Sequence, residues 1–326
     1  EYEDLFDGNQ VIDTKVEDLK ASARFELEAI ETQGGALNSI EYMKSRLVES
    51  NSDRLQNIES NQTTVVGVNK FTNTEKSPLV SGDGGIMVVD PLVEKDQIDR
   101  LNLWRSKRDE GLVNEALLNL REAASEGRNI MPSSIQAAKA GATTGEWAQE
   151  MRKIYGEYRG PTGVATGISN KTEGLEEIRS AVDAVSDRLG ERLKFLIGKP
   201  GLDGHSNGAE QIASRARDCG MNIEYQGIRL TPQELVETVK KTKSHVIGLS
   251  ILSGSHIPLV QDMINLLAQE GLTNIPIVVG GIIPEEDEVK LLKMGISKVY
   301  TPKDFEMNTI MMDIVNLAEP KEIAAE

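Results

Sequence analysis

The sequence is poor in the residues from which most metal sites and disulfide bonds are built. Its 326 residues include one cysteine, Cys219, and three histidines, His205, His245 and His256. A single cysteine excludes an internal disulfide framework and a cysteine-cluster metal site. We expect Cys219 to be a small buried residue of a helix. We expect His245, which opens a predicted strand, to be packed or hydrogen-bonded rather than a metal ligand.

Long apolar runs and positive charge are also scarce. No stretch approaches the ~18 uninterrupted apolar residues that a membrane helix needs. The acidic start, Glu1-Tyr2-Glu3-Asp4, has no signal-like apolar core. The formal net charge of −16 opposes non-specific binding to phosphate backbones. We therefore expect a cytoplasmic, globular protein that binds neither membranes nor nucleic acid.

The front of the chain is predicted to form two helices and one strand. Apolar residues recur at helical spacing over residues 16–30 and again over 40–47, with Gly34-Gly35 between them. Residues 64–68 are too few and too β-branched for a helix, and they predict a buried strand. Because one strand cannot form a sheet, we expect another chain, or a part of the protein outside this sequence, to complete this segment.

The middle of the chain is predicted to be helical between two connectors. Residues 77–85 are rich in Gly, Ser, Asp and Pro and predict a linker, and residues 160–167 predict another connector. Between them we predict a long helix over 93–125 and a shorter one over 146–158. Thr143 and Glu146 have the spacing of a capping box at the start of the shorter helix.

From residue 192 onward, short apolar segments alternate with amphipathic helical ones. Five strands are predicted, at residues 193–197, 223–225, 246–249, 275–279 and 298–300. Repeated βα units predict a doubly wound parallel sheet of flavodoxin-like type, with strand order 2-1-3-4-5. Ligands of such sheets bind beyond the carboxyl ends of the strands, near the point between strands one and three where the strand order reverses.

Unusual residues follow three of these strands. Residues 199–208 follow the first strand, residues 250–254 the third, and Gly280-Gly281 the fourth. In a parallel sheet these segments converge on one edge, so we expect a binding site there. The glycines of these segments would let the backbone approach a bulky planar group closely.

The spacing of Asp203 and His205 indicates a metal-binding histidine. A turn across the intervening glycine can bring the carboxylate to one imidazole nitrogen while the other points outward, which fixes the tautomer of a metal ligand. No further histidine or cysteine lies nearby to complete a zinc site. One histidine suffices only where a cofactor supplies the remaining ligands, as a corrin or porphyrin ring does. The alternatives are a structural histidine and an Asp203 that caps the next helix.

The chain resembles cobalamin-binding domains in three short sequence motifs, which occur in the same order and spacing. They are Asp203-x-His205-x-x-Gly208, Ser250-x-Leu252 and Gly280-Gly281. In the domains that this chain resembles, a protein histidine replaces the cofactor's own base below the cobalt, and the displaced dimethylbenzimidazole tail is buried along the sheet. The resemblance implies that His205 ligates cobalt and that Asp203 hydrogen-bonds it. The cofactor-binding residues that it implies are Asp203, His205, Gly208, Ser250, Leu252, Gly280, Gly281, Tyr300 and Thr301.

Further runs narrow the resemblance to adenosylcobalamin-dependent acyl-CoA mutases. Lys199 and Ile282-Ile283-Pro284 favour these mutases over corrinoid methyltransferases. Residues 129–132, 157–163 and 299–305 are most like those of ethylmalonyl-CoA mutases. The front segment, through residues 41–44 and 66–70, is similar to the last part of that family's substrate barrel.

The resemblance implies a division of the chain and an activity for the complete enzyme. Residues 1–78 would be the end of a (β/α)₈ barrel, residues 79–190 a mainly helical linker region, and residues 191–326 the cobalamin-binding domain. The complete enzyme would be an isomerase, a homodimer that uses adenosylcobalamin to rearrange ethylmalonyl-CoA to methylsuccinyl-CoA. Because most of the barrel lies outside this sequence, we expect this chain alone to bind cofactor and to turn over no substrate.

Several alternatives stay open at this point. The resemblance puts Lys199 near the substrate and the adenosyl group, as a catalytic residue, whereas a lysine at a strand end is most simply a solvated one. His256 could cap a helix or face the cofactor site. The activity could instead be that of a methylmalonyl-CoA mutase. A non-catalytic cobalamin carrier or sensor is a further alternative, although such a protein would not need a barrel segment at its front.

Overall fold

The computed structural model describes residues 6–72, 90–164 and 174–320, and the chain divides into two compact units. Residues 1–73 and 160–326 contribute to one, here called the sheet unit, and residues 74–159 form the other, here called the helical unit. The predicted linker at 77–85 lies outside the described residues. No helix among the described residues is both long enough and apolar enough to cross a membrane.

The helical unit contains, in its described part, four helices: α3 (Pro91–Lys107), α4 (Glu110–Ser125), α5 (Met131–Ala140) and α6 (Thr144–Tyr155). The prediction of one helix over 93–125 is wrong. The Asp109 side chain accepts a hydrogen bond from the backbone N–H of Leu112, which starts a new helix, and Arg108 is extended. The capping box of Thr143 and Glu146 is confirmed. Helix α6 ends three residues earlier than the prediction, at Tyr155 before Gly156.

The front of the sheet unit contains α1 (Gln10–Thr32) and α2 (Ile40–Glu59), which confirms the two predicted helices. The prediction of a buried strand over 64–68 is wrong, because only an isolated bridge joins Val66 to Lys70, and Val66 is 73% exposed. No strand pairs with this segment in the described residues. The Asn69 side chain supplies hydrogen bonds instead, accepting one from the N–H of Val65 and donating to the carbonyls of Ile58 and Thr63.

The predicted sheet is confirmed in strand number and order within the described residues. Five parallel strands lie in the order β2-β1-β3-β4-β5, as in flavodoxin-like folds. They are β1 (Lys194–Gly198), β2 (Asn222–Tyr225), β3 (Val246–Ser250), β4 (Ile277–Gly280) and β5 (Lys298–Tyr300).

Helices cover both faces of this sheet. Phe195 and Ile197 of β1 point to one face, and Leu196 between them points to the other, so that successive side chains enter two separate cores. The helices on the first face are α7 (Leu175–Leu189), α8 (Asn207–Asp218) and α12 (Met307–Leu317). Those on the second face are α9 (Pro232–Thr242), α10 (His256–Gln269) and α11 (Glu285–Lys293).

Helix α2 packs against α8, so the front helices belong to the same compact unit as the sheet. The Gln211 side chain donates to the carbonyl of Val48 at 3.0 Å, and Arg215 lies 3.2 Å from the carboxylate of Glu59. The compact units therefore group residues differently from the three predicted segments 1–78, 79–190 and 191–326. The predicted division assigns these segments to a substrate barrel, a linker region and a cobalamin-binding domain, and that assignment stays a prediction.

Candidate functional site

The loop after β1 holds His205 in the arrangement predicted from the sequence. The Nδ1 atom of His205 lies 2.7 Å from Oδ1 of Asp203, and the backbone N–H of His205 donates to the same oxygen at 3.0 Å. The imidazole is 78% exposed, whereas the carboxylate is 2% exposed. Because an ionised carboxylate only accepts hydrogen bonds, Nδ1 carries a proton, and Nε2 lies on the outward side of the ring.

The second oxygen of Asp203 joins this loop to the loop after β3. Oδ2 accepts from the backbone N–H of Leu252 at 2.9 Å and lies 3.2 Å from Nζ of Lys199. Burial alone would raise the pKa of Asp203, but hydrogen bonds from His205, Leu252 and Lys199 outweigh it and hold the pKa well below its usual value. Asp203 therefore stays ionised and binds two groups on each oxygen.

Lys199 is fully buried, which excludes the solvated-lysine alternative. Its ammonium group donates to the carbonyl of Ser250 at 2.9 Å and lies 3.3 Å from the hydroxyl of the same residue, besides its contact with Asp203. Burial lowers the pKa of Lys199, although the neighbouring carboxylate works against this shift. In this position Lys199 supports Asp203 and the β3 end. The prediction that Lys199 is catalytic stays a prediction.

An apolar cavity of about 420 Å³ lies beside these loops on the first face of the sheet. Its size is in the range of small-molecule sites. Apolar residues such as Ile197, Val278 and Ile314 form much of its wall. Seven of the predicted cofactor-binding residues line it: Gly208, Ser250, Leu252, Gly280, Gly281, Tyr300 and Thr301. Lys199, Asp203 and His205 are outside the lining and adjoin it through Ser250 and Leu252.

Part of the cavity wall was missing from the sequence-based prediction. Leu55 and Ile58 of α2, and Val68 after it, reach the cavity from the front of the chain, and Gly248 lies in its lining within β3. A glycine inside a strand is a signal of close approach that could have identified Gly248. The front residues carry no such signal, since only tertiary packing brings them to the sheet.

The second residue of the double glycine is required by the contact between two loops. A Cβ atom on Gly281 would lie 1.9 Å from the carbonyl oxygen of Ile251, which is backbone and cannot move aside easily. The N–H of Ile251 also donates to the carbonyl of Gly280 at 2.9 Å. By contrast, a Cβ on Gly280 would meet only Tyr300, at 3.9 Å. Gly281 thus lets the β3 and β4 loops touch, whereas Gly280 borders the cavity.

The remaining histidines and the cysteine lie away from the cavity wall. Nδ1 of His245 accepts from the backbone N–H of Lys194 at 2.9 Å, which confirms its hydrogen-bonded role. His256 is buried, and its Nε2 lies 2.9 Å from Asp287. Cys219 is buried as predicted, and burial raises the pKa of its thiol to about 12. No group of three or more His, Cys, Asp or Glu side chains in the described residues could hold a metal ion.

Comparison with protein families and curated relatives gives two family matches. Residues 3–157 match the methylmalonyl-CoA mutase family and residues 193–302 match the B12 binding domain family. The chain is 61% identical over its whole length to an ethylmalonyl-CoA mutase of Cereibacter sphaeroides, of which it covers 50%.

Two further relatives are similar to nearly the same span of the chain. It is 51% identical over 98% of its length to an ethylmalonyl-CoA mutase of Methylorubrum extorquens, of which it covers 46%. It is 28% identical over 90% of its length to a methylmalonyl-CoA mutase of Cereibacter sphaeroides, of which it covers 42%. The chain thus spans about half the length of the curated relatives that it matches.

Proposed function

We propose, from the premise that this chain belongs to the methylmalonyl-CoA mutase family, that it is the cobalamin-binding portion of an adenosylcobalamin-dependent acyl-CoA mutase. The observation that carries the proposal is the exposed imidazole of His205, held by the buried, ionised Asp203 next to an apolar cavity. We infer that Nε2 of His205 would ligate the cobalt of the bound cofactor. The adenosyl form of the cofactor is part of this proposal.

The residues present fit a corrin with a displaced tail. A single exposed nitrogen suits a metal whose other ligands come from its own ring, and no three-ligand cluster exists among the described residues. The adjoining cavity, of about 420 Å³, is apolar and large enough for an aromatic base. Ser250, Gly280 and Tyr300 would border that base.

The protein's contribution is to bind and orient the cofactor. Homolysis of a cobalt–carbon bond, followed by hydrogen abstraction from the substrate, is the chemistry that adenosylcobalamin supplies in this reaction class. Asp203 keeps the proton of His205 on Nδ1, so that Nε2 is free to ligate. Lys199 and the N–H of Leu252 keep Asp203 ionised. We therefore propose that Lys199 acts through Asp203 as a positioning residue.

The substrate proposed for the complete enzyme is ethylmalonyl-CoA, which would be rearranged to methylsuccinyl-CoA. The identity of 61% to an ethylmalonyl-CoA mutase against 28% to a methylmalonyl-CoA mutase from the same organism supports this choice. Assaying the full-length enzyme with both acyl-CoA thioesters tests it, and preference for methylmalonyl-CoA would contradict it. A homodimeric, cytoplasmic enzyme is part of the same proposal. The match of residues 3–157 to the mutase family weighs against a carrier or sensor.

Isotopic labelling tests the ligation directly. We would label the chain uniformly with ¹⁵N, bind cobalamin, reduce the cobalt to Co(II) and record the EPR spectrum. A protein nitrogen below cobalt splits the lines into doublets, because ¹⁵N has spin one half. The cofactor's own unlabelled ¹⁴N base gives triplets. We expect doublets, whereas unlabelled protein should give triplets. Triplets from the labelled protein would contradict the proposal.

A further inference from the structure

His256 is a buried histidine that lies outside the lining of the cavity. Its side chain is 3% exposed, and its Nε2 lies 2.9 Å from Oδ2 of Asp287. The other ring nitrogen, Nδ1, has no hydrogen-bond partner among the described residues. The pair with Asp287 is therefore the one polar contact that offsets the burial of this ring.

The pair connects the two helices that follow the cavity loops. His256 is the first residue of α10, directly after the loop that carries Ser250 and Leu252. Asp287 lies in the first turn of α11, directly after the loop that carries Gly281. Residues 250, 252 and 281 line the cavity, whereas His256 and Asp287 do not. The side-chain contact thus lies behind the two loops and joins the helices that anchor them.

The same two loops also touch through their backbones at the cavity. The N–H of Ile251 donates to the carbonyl of Gly280, and Gly281 packs against the carbonyl oxygen of Ile251 without room for a side chain. A backbone contact as close as this one is sensitive to small shifts of either loop. A hydrogen bond between the following helices limits such shifts.

We propose that His256 and Asp287 form a clasp that fixes the spacing of the β3 and β4 loops for the cobalamin tail. His256 is thus a positioning residue of the tail pocket and takes no part in ligating cobalt. This inference rests on the proposed cobalamin function. It predicts that losing the clasp weakens binding of the nucleotide tail and leaves the contact between cobalt and His205 unchanged.

Two corrins separate these effects. Hydroxocobalamin carries the nucleotide tail, whereas cobinamide has the same corrin ring without it. We would measure the dissociation constants of both by absorption titration of the whole chain. For His256→Leu, which fills the space without a hydrogen bond, we expect about tenfold weaker binding of cobalamin, as for loss of a hydrogen bond to a charged group. Binding of cobinamide should stay within about twofold.

Matched variants distinguish the clasp from general destabilisation. His256→Gln keeps an N–H group in reach of Asp287 and should recover most of the cobalamin affinity. His245→Leu removes a half-buried histidine, whose Nδ1 accepts from the backbone N–H of Lys194, and should leave the ratio of the two affinities unchanged. Lys290→Met removes the exposed partner of Asp287 and should also leave the ratio unchanged.

Each outcome decides the proposal. Equal loss of both corrins in His256→Leu, or no loss of cobalamin, overturns the clasp. If His256→Leu does not fold, Asp287→Asn is measured instead. We expect Asp287→Asn to lower the ratio of cobalamin affinity to cobinamide affinity by about threefold. An unchanged ratio overturns the proposal. Failure of the parent chain to bind either corrin would refute the proposed cobalamin function, which is a different result from failure of the clasp.

Discussion

Replacing Asp203 with asparagine tests the central contact of the site. Each carboxylate oxygen serves two donors: Oδ1 faces the backbone N–H and Nδ1 of His205, and Oδ2 faces Leu252 and Lys199. An amide keeps only one acceptor oxygen. Whichever way it turns, its NH₂ group faces two groups that donate to the carboxylate in the parent chain.

The less costly orientation of the amide turns its NH₂ group toward the exposed His205. The oxygen then stays with Leu252 and the buried ammonium of Lys199. The imidazole responds by moving its proton to Nε2, so that Nδ1 can accept from the amide. Nε2 must lose that proton before it can ligate cobalt. We therefore expect Asp203→Asn to bind cobalamin through histidine with an affinity lower by about tenfold to hundredfold.

Stability should fall as well, in a manner that depends on pH. The partly buried backbone N–H of His205 loses its acceptor, and the buried charge of Lys199 loses its countercharge, so we expect a loss of about 2–4 kcal/mol at pH 7. The pKa of Asp203 is lowered in the folded chain. Its contribution is therefore present in full above the unfolded pKa of about 4, and it is lost progressively as the pH falls from there toward the lower pKa of the folded chain. The difference between parent and variant should shrink in acid.

Urea unfolding at pH 7 and pH 3, together with cobalamin titration, measures these effects. Asp183→Asn is the matched control, because Asp183 forms an exposed ion pair with Arg192 and should change stability by at most about 0.5 kcal/mol. Parental stability and affinity in Asp203→Asn would refute the reasoning, as would a stability difference that stays constant between the two pH values.

Four further substitutions probe the ligand, the loop contact and an unpaired hydroxyl. His205→Ala should bind cobalamin more weakly, with the absorption spectrum of a base-off cofactor; a parental spectrum and affinity would contradict ligation. Gly281→Ala should destabilise the fold by about 2 kcal/mol in urea unfolding, because the new methyl group meets Ile251, whereas Gly280→Ala should unfold like the parent and bind cobalamin less tightly. Equal stability of both glycine variants would contradict the contact. The buried hydroxyl of Tyr225 has no partner among the described residues, so Tyr225→Phe should unfold at the same or a higher urea concentration; a loss above about 1 kcal/mol would reveal an unrecognised hydrogen bond.

The sheet and the core of the site could be predicted from the sequence because their signals are local. Strand order follows from the alternation of strands and helices, and it determines which loops meet at one edge. The contact between Asp203 and His205 needs only a turn of three residues. Gly280 and Gly281 stand out because they directly follow a predicted strand. These features depend on spacing within short segments, which a sequence displays directly.

Other features depend on contacts between segments that are far apart in the chain, and the sequence could not give them. A lysine after a strand is usually solvated, and only the packing of Asp203 and Ser250 around it makes Lys199 a buried residue. The break before α4 depends on whether Asp109 caps a helix or continues one, which its residue type leaves open. The wall that Leu55 and Ile58 contribute to the cavity depends on how α2 docks.

The docking of α2 makes the front of the chain part of the candidate site. Nζ of Lys44 donates to the hydroxyl of Ser206 at 3.1 Å and pairs with the buried carboxylate of Glu210 at 2.6 Å. Ser206 directly follows His205 and precedes α8, so α2 holds one side of the histidine loop while Asp203 holds the other. Because Glu210 is 4% exposed, losing Lys44 would leave a buried charge without this partner. The position of the His205 imidazole therefore depends on two helices. Helix α2 lies in the segment that matches the methylmalonyl-CoA mutase family, and α8 lies in the segment that matches the B12 binding domain family.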